Sequence, residues 1–263
     1  MHRPRKRFGQ NFLRDHDVIG RIIRVIDPVP GDHLVEIGPG LGAITVPLLA
    51  RGVDLDVIEL DRDLIANLEQ IDAPGDAVFR IHNADALEMD IRALAGNGRK
   101  LRMVGNLPYN ISTPLLFHLI DQLDCIKDMH LMLQKEVVDR MAAEPGGREY
   151  GRLSVMVQYH CQVQRLFTIG PAAFDPQPKI NSSFVRLTPH ERPDIVAADY
   201  LAFSRLVATA FAYRRKTLRN ALKGLATNES FTTAGVDPAL RAEQLQLADF
   251  IRLSEAILSG RSA

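Results

Sequence analysis

The stretch L-V-E-I-G-P-G-L-G-A-I-T, from Leu34 to Thr45, constrains this chain more than any other. Leu34, Val35 and Ile37 form the short apolar run of a buried parallel strand. Glycines at 38, 40 and 42 then predict a turn, and Ile44, Val46, Leu48 and Leu49 continue as an apolar helical pattern. Strand, glycine turn and helix together present backbone N–H groups and a positive helix end to a ligand. Side chains at Gly38 or Gly40 would hold that ligand off the backbone.

Two ligand classes fit such a turn. Read as G-x-G-x-x-A through Ala43, it is a dinucleotide fingerprint that brings a pyrophosphate to the helix end. Read as E-x-G-x-G-x-G, it places the Glu36 carboxylate just before the turn. That anion is unfavourable beside a pyrophosphate. It suits a cationic ligand such as the ammonium or sulfonium of S-adenosylmethionine.

Acidic tips recur downstream. Asp54–Leu60 reads as a second strand ending at Glu59, with Asp61 capping the next helix. Glu59 stands where a doubly wound fold places the carboxylate that binds ribose hydroxyls. Ala77–His82 reads as a third strand leading to Asp85, placed to accept from an adenine amine. Leu101–Val104, a fourth, runs into G-N-L-P-Y-N at 105–110, and a helix starts at Ser112-Thr113-Pro114. An Asn-x-Pro-aromatic at a strand tip has no role in hydride transfer but has one in methylating an exocyclic amine. The Asn106 oxygen and a backbone carbonyl near Pro108 can accept from the N–H groups and favour a pyramidal, nucleophilic nitrogen. Proline stiffens that backbone and removes a competing donor, and Tyr109 offers a stacking face.

The net charge of zero conceals segregation. Residues 1–24 carry seven Lys/Arg against two Asp/Glu, and residues 25–100 carry six against fourteen. Residues 205–223 carry six cations and no acid. Basic ends around an acidic middle predict RNA or DNA held outside and a cationic cofactor inside. Arg5, Lys6 and Arg7 in the N-terminal arm, and Arg214, Arg215, Lys216, Arg219 and Lys223 in a basic tail helix, are the expected phosphate contacts. The N-terminal basic residues have no apolar run behind them, so a secretory signal is not expected. No window is apolar enough to span a membrane. Cys125 and Cys161 stand far apart, without metal-ligand spacing. The expectation is a cytoplasmic, metal-free monomer.

The blocks K-R-F-G-Q-N-F-L at 6–13, V-E-I-G-P-G-L-G at 35–42, V-I-E-L-D-R-D at 57–63, N-A-D-A at 83–86, G-N-L-P-Y-N-I-S-T-P at 105–114, F-D-P-Q-P-K-I-N-S-S at 174–183 and R-R-K-T-L-R-N at 214–220 resemble the ribosomal RNA adenine N6,N6-dimethyltransferases. The likeness covers nearly the whole chain and is greatest to the bacterial members acting on small-subunit RNA. It implies an α/β fold: a Rossmann-like class I S-adenosylmethionine-dependent methyltransferase domain, placed at residues 1–190, and a smaller all-helical RNA-binding domain at 191–263. It further implies that Asn11 and Leu13 line the methionine end of the donor. Gly38 would contact its backbone, with Glu36 and Gly40 beside it, Glu59 its ribose and Asp85 its adenine. Asn106, Leu107 and Pro108 would orient the target amine, and Tyr109 and Phe174 would stack on the base. The implied substrate is two adjacent adenosines in a hairpin loop near the 3′ end of small-subunit RNA, free or in a pre-30S particle. Two rivals share these blocks: a resistance-type dimethyltransferase of large-subunit RNA, and a non-catalytic assembly or transcription factor.

Overall fold

This computed structural model describes residues 10–191, 196–213 and 215–262. Arg5, Lys6, Arg7 and Arg214, expected to contact phosphates, lie outside them. The chain divides into two compact units. One holds the described residues up to Val138 together with Gln164–Pro189, and the other holds Asp139–Val163 and the described residues from His190 onward. This division departs from boundaries at 190 and 191 in assigning residues 139–163 to the helical unit.

The first unit is built on a seven-stranded sheet in the order β4-β3-β2-β5-β6-β9-β7. These are β2 (His33–Ile37), β3 (Asp54–Ile58), β4 (Phe79–His82), β5 (Leu101–Asn106), β6 (Ile126–Gln134), β7 (Cys161–Ile169) and β9 (Ser182–Pro189). Strands β2 to β6 pair in parallel, while β9 runs antiparallel to β6. From β2 the chain steps outward through β3 to β4 and then returns to the other side of β2 as β5. The order therefore reverses between β2 and β5, which is where an open α/β sheet leaves a crevice at its carboxyl ends. A separate antiparallel pair, β1 (Phe12–Leu13) with β8 (Phe174–Asp175), matches Leu13 with Phe174.

Burial explains the sheet. All five residues of β2 are buried, as are Leu101–Gly105 of β5, so both strands are covered on both faces and are mainly apolar, with His33, Glu36 and Arg102 as the polar members. Polar residues in these strands have partners. The Nε2–H groups of His33 on β2 and His82 on β4 donate to Asp56 on β3, at 2.5 and 2.6 Å. Helix α1 (His16–Ile26) is capped by Asp15, which accepts from the N–H groups of Asp17 and Val18. At its other end Arg102 and Arg186 donate to the carbonyls of Ile26 and Val25, both at 2.6 Å. Arg102 is buried and also pairs with Asp32 at 2.7 Å and Asp128 at 3.0 Å. Its charge thus has carboxylate partners and fixes the helix against the sheet.

Helix α2 spans Thr45–Leu49, within one residue of the apolar pattern from Ile44 to Leu49. Before it, Gly38, Gly40 and Gly42 take φ values of 70°, 60° and 80°, a region that favours glycine. Gly38 and Gly40 bring the turn's own backbone to the crevice. Helices α3 (Arg62–Leu68), capped by Asp61, and α4 (Ser112–Ile120) follow the second and fourth acidic or amide tips.

The second unit packs α6 (Arg152–His160), α7 (Tyr200–Ala212), α8 (Leu218–Ala221), α9 (Asn228–Ala234) and α10 (Leu247–Ser262); α5 (Lys135–Met141) leads into it. Residues 139–163 group here because α6 buries Val155, Met156, Val157 and Tyr159. The Tyr159 ring packs against Tyr200 and Phe203, with centroids 5.7 and 4.8 Å apart. Asp237-Pro238 opens a turn, in which the Asp237 carboxylate accepts from the Ala239 N–H at 2.8 Å. The expected basic tail helix is corrected: Arg215 and Lys216 stand on a turn before the four-residue α8. The loop at 145–147 is tied within this unit by a Gly146 N–H donated to the Glu243 carbonyl.

The close approach of β2 and β5 is testable at Gly105. A methyl group there would lie 2.8 Å from both the Ile37 carbonyl oxygen and Leu107 Cδ2. Gly105→Ala is expected to lower the unfolding free energy by roughly 1–3 kcal/mol in a denaturant titration. Parental stability would contradict this packing.

Candidate active site

A crevice of about 320 Å³ opens at the carboxyl ends of β2, β3, β4 and β5. Asn11, Gly38, Gly40, Glu59, Asp85, Asn106, Leu107, Pro108 and Tyr109 all line it. Leu13 and Glu36 line an adjoining recess of about 30 Å³ that shares Gly38, Gly40 and Asn106 with the main crevice. The residues expected from the sequence to hold the donor and the target base are thereby brought together, with one exception. Phe174 is only 3% exposed and belongs to the core cluster with Leu13, Ile169 and Phe184. Its ring lines neither cavity. Its backbone does a different job, pairing with Leu13 to hold β1.

Strand β1 matters because it carries the near wall. A methyl group on Gly40 would touch the Phe12 ring at 3.0 Å, so the N-terminal segment lies directly over the glycine turn. Gln10 donates to the Asp61 carboxylate at 2.9 Å, and the Asn11 carbonyl accepts from Asn106 Nδ2 at 3.1 Å. The last contact fixes the amide. With its NH₂ group committed to a carbonyl, Asn106 turns Oδ1 the other way as a hydrogen-bond acceptor. The Pro108 carbonyl accepts from the Ile111 N–H at 3.2 Å, beginning the turn into α4. The Tyr109 hydroxyl is 2.7 Å from Ser182 Oγ, which anchors the ring at its far end. Burial raises the phenol's pKa, so it stays neutral.

The carboxylates are set at different depths. Glu59 is 7% exposed, accepting from the N–H groups of Gly40 at 3.2 Å and Asp61 at 2.8 Å. It thus ties the glycine turn to the start of α3. Burial raises its pKa in spite of these bonds. Glu36 lies deeper, at 2% exposure, and accepts from the Thr45 hydroxyl at 2.6 Å. Burial, with a smaller contribution from the Glu59 charge, pushes its pKa up to about 7. The Asp85 carboxylate accepts from the Leu87 N–H at 2.9 Å, closing its own turn.

Sequence reasoning missed the supports of these groups. Asn83 donates to the Glu59 carbonyl at 2.8 Å and clasps two strand tips together; its place in N-A-D-A was the available signal. Gln10 and Ser182 lie in the blocks quoted above and Thr45 at the end of the glycine-turn stretch, but their partners are 51, 73 and 9 positions away.

Anionic ligands do not fit this donor set. Glu36, Glu59, Asp85 and an amide oxygen offer acceptors that suit a cation better than a pyrophosphate, and a cation beside buried Glu36 would favour its charged form. Fold and site together define a Rossmann-like, S-adenosylmethionine-dependent methyltransferase. Comparison with known proteins narrows this class. The chain belongs to the ribosomal RNA adenine dimethylase family, whose model matches residues 1–258. It is 55% identical over 262 residues to the ribosomal RNA small subunit methyltransferase A of Pseudomonas putida, covering 100% of this chain and 98% of that one. Among solved structures it is similar to a dimethyladenosine transferase from Plasmodium falciparum, with TM-score 0.75, 25% identity and coverage of 92% and 95% of the two chains. It also shares the fold of the 23S rRNA methyltransferase ErmE, with TM-score 0.72, 22% identity and coverage of 94% and 99%.

Glu36 yields a pH-dependent prediction. Its folded pKa lies above its unfolded value, so the protein without ligand loses stability as pH rises from about 4.5 through about 7. Glu36→Gln removes that loss. In thermal melts the variant is expected to match the parent at the acid end and to exceed it increasingly toward pH 8. A pH-independent difference would contradict the assignment.

Proposed function

We propose that this enzyme transfers methyl groups from S-adenosylmethionine to N6 of two adjacent adenosines in a hairpin loop near the 3′ end of small-subunit ribosomal RNA. The observation that carries the mechanism is the Asn106 amide, held through Nδ2 by the Asn11 carbonyl so that Oδ1 is available to a substrate. The extent of identity to small-subunit enzymes supports the choice of RNA. The 22% identity to the large-subunit enzyme speaks only for a common fold. An intact Asn-Leu-Pro-Tyr tip in a family of enzymes argues against a purely binding role.

The nitrogen lone pair of an adenine amine is delocalised into the ring and is a poor nucleophile. Asn106 Oδ1 accepts from one N–H and the Leu107 carbonyl from the other, because Pro108's carbonyl already serves Ile111. Both bonds favour the pyramidal nitrogen on which the lone pair is localised. Tyr109, anchored by Ser182, stacks on the base and holds its plane. On the donor side, Glu59 takes the ribose hydroxyls and Asp85 the adenine amine. Gly38 and Gly40 allow close approach of the methionine portion, Asn11 and Leu13 line it, and Glu36 balances its charge. The bound donor supplies an already activated methyl group, so the chain's task is alignment of nitrogen with carbon. After one transfer the amine retains a single N–H, and either acceptor can orient it for the second.

A loop adenosine costs less to extrude than a paired one, which suits a hairpin target. Exposed Arg215, Lys216, Arg219 and Lys223 serve as phosphate contacts. Among the described residues no helix is long and apolar enough to cross a membrane, and no group of three or more His, Cys, Asp or Glu could hold a metal ion. A monomer acting in the cytoplasm on a precursor of the small subunit is the setting we propose, with methylation linked to assembly.

Asn106→Ala is expected to lose roughly 10²–10³ in methyl-transfer rate with donor binding retained, by analogy with removal of one preorganised hydrogen-bond partner. Near-parental transfer would remove Asn106 from this role. Mapping methylated adenosines on unmodified 30S and 50S particles tests the target; methylation of the 50S particle alone would overturn it. Replacing Arg215, Lys216 and Arg219 by Gln should weaken RNA binding and flatten its salt dependence by about 0.7 per lost phosphate contact. An unchanged slope would exclude them as contacts.

A further inference from the structure

We infer that Tyr213 is a stacking platform for an unpaired nucleotide of the RNA, a role additional to Tyr109's and on the other unit. The inference rests on the RNA-binding reading of the basic residues around it. Tyr213 is 62% exposed, whereas the other large apolar side chains exposed among the described residues are aliphatic. The position is not an accident of helix periodicity. Helix α7 turns Phe203, Leu206, Val207 and Ala210 inward and ends at Ala212. Nearby Phe211 packs against Phe250, with ring centroids 5.7 Å apart. Tyr213 then leaves the helix at φ −126° and ψ 79°, and the ring departs from the apolar face.

The turn that follows gathers the chemistry a nucleotide needs. It is closed by the Lys216 N–H donated to the Tyr213 carbonyl at 2.9 Å, so ring, Arg215 and Lys216 share one tight element. Its exit is fixed as well: the N–H groups of Leu218 and Arg219 donate to the carbonyls of Leu240 and Pro238, at 2.7 and 3.0 Å. Arg215, Lys216 and Arg219 are exposed, and no acidic residue occurs from Arg205 through Lys223. An exposed phenol ring framed by cations matches a base attached to phosphates. An acidic protein surface would engage the cations and leave the ring without a partner. Because every base has a π-face, the contact tolerates any base, and the cations hold the flanking phosphates.

The test uses the full chain and two probes, a short oligoadenylate and an abasic oligomer of equal length and charge. Tyr213→Ala is expected to weaken oligoadenylate binding roughly 5- to 100-fold, the range of one base–aromatic stack, at every salt concentration. Its salt slope and its binding of the abasic oligomer should match the parent. Tyr213→Phe should bind oligoadenylate as the parent does. Parental affinity in Tyr213→Ala, equal losses on both probes, or a loss in Tyr213→Phe as large as in Tyr213→Ala would each overturn the role of the ring. Since neither probe is a ribosomal target, these outcomes are independent of which adenosines the enzyme methylates.

Discussion

A single hydrogen bond, from Asn106 Nδ2 to the Asn11 carbonyl, connects everything the crevice has to do. It spans 95 positions of sequence and joins the tip of β5 to a segment outside the main sheet. That segment has its own supports: β1 pairs with β8, Phe12 covers Gly40, and Gln10 reaches Asp61. The wall of the donor crevice and the orientation of the acceptor amide are consequently set by the same four residues, 10–13. In the mechanism we propose, a shift in this segment would disturb donor binding and amine activation together.

The second constraint is electrostatic. The sheet's acidic tips sit in a place where water cannot fully solvate them, and Glu36 and Glu59 respond with raised pKa values. Hydrogen bonds from Thr45, Gly40 and Asp61 offset part of the desolvation but do not remove it. The retained carboxylate makes sense as a preference for a cation, with the stability cost accepted at a functional site. The same reasoning separates a methyl donor from a dinucleotide on physical grounds that glycine spacing cannot supply.

Much of this was legible in the residues. Apolar runs separated by acidic or amide tips specify parallel strands, and a carboxylate before a glycine turn narrows the ligand. What stayed hidden depends on long-range contacts. Phe174 reads as a stacking aromatic beside prolines, yet its ring is buried and its backbone supports Leu13; two-residue strands carry no periodic signal. Residues 139–163 belong with the helical unit because Tyr159 packs on Tyr200 and Phe203, some forty positions away. Asn83, Thr45 and Ser182 were present in recognisable blocks, but their roles exist only once distant groups meet them.

The most direct test of the oriented amide is the single-turnover methyl-transfer rate of Asn106→Asp on unmethylated small-subunit RNA, with donor saturating. Aspartate keeps an acceptor oxygen but replaces the NH₂ group with a second oxygen facing the Asn11 carbonyl. If the Asn11 contact sets the geometry, this variant falls as far as a side chain with no acceptor at all. A rate near that of the parent enzyme would show that an oxygen suffices, and that the hydrogen bond to Asn11 does not orient the reaction.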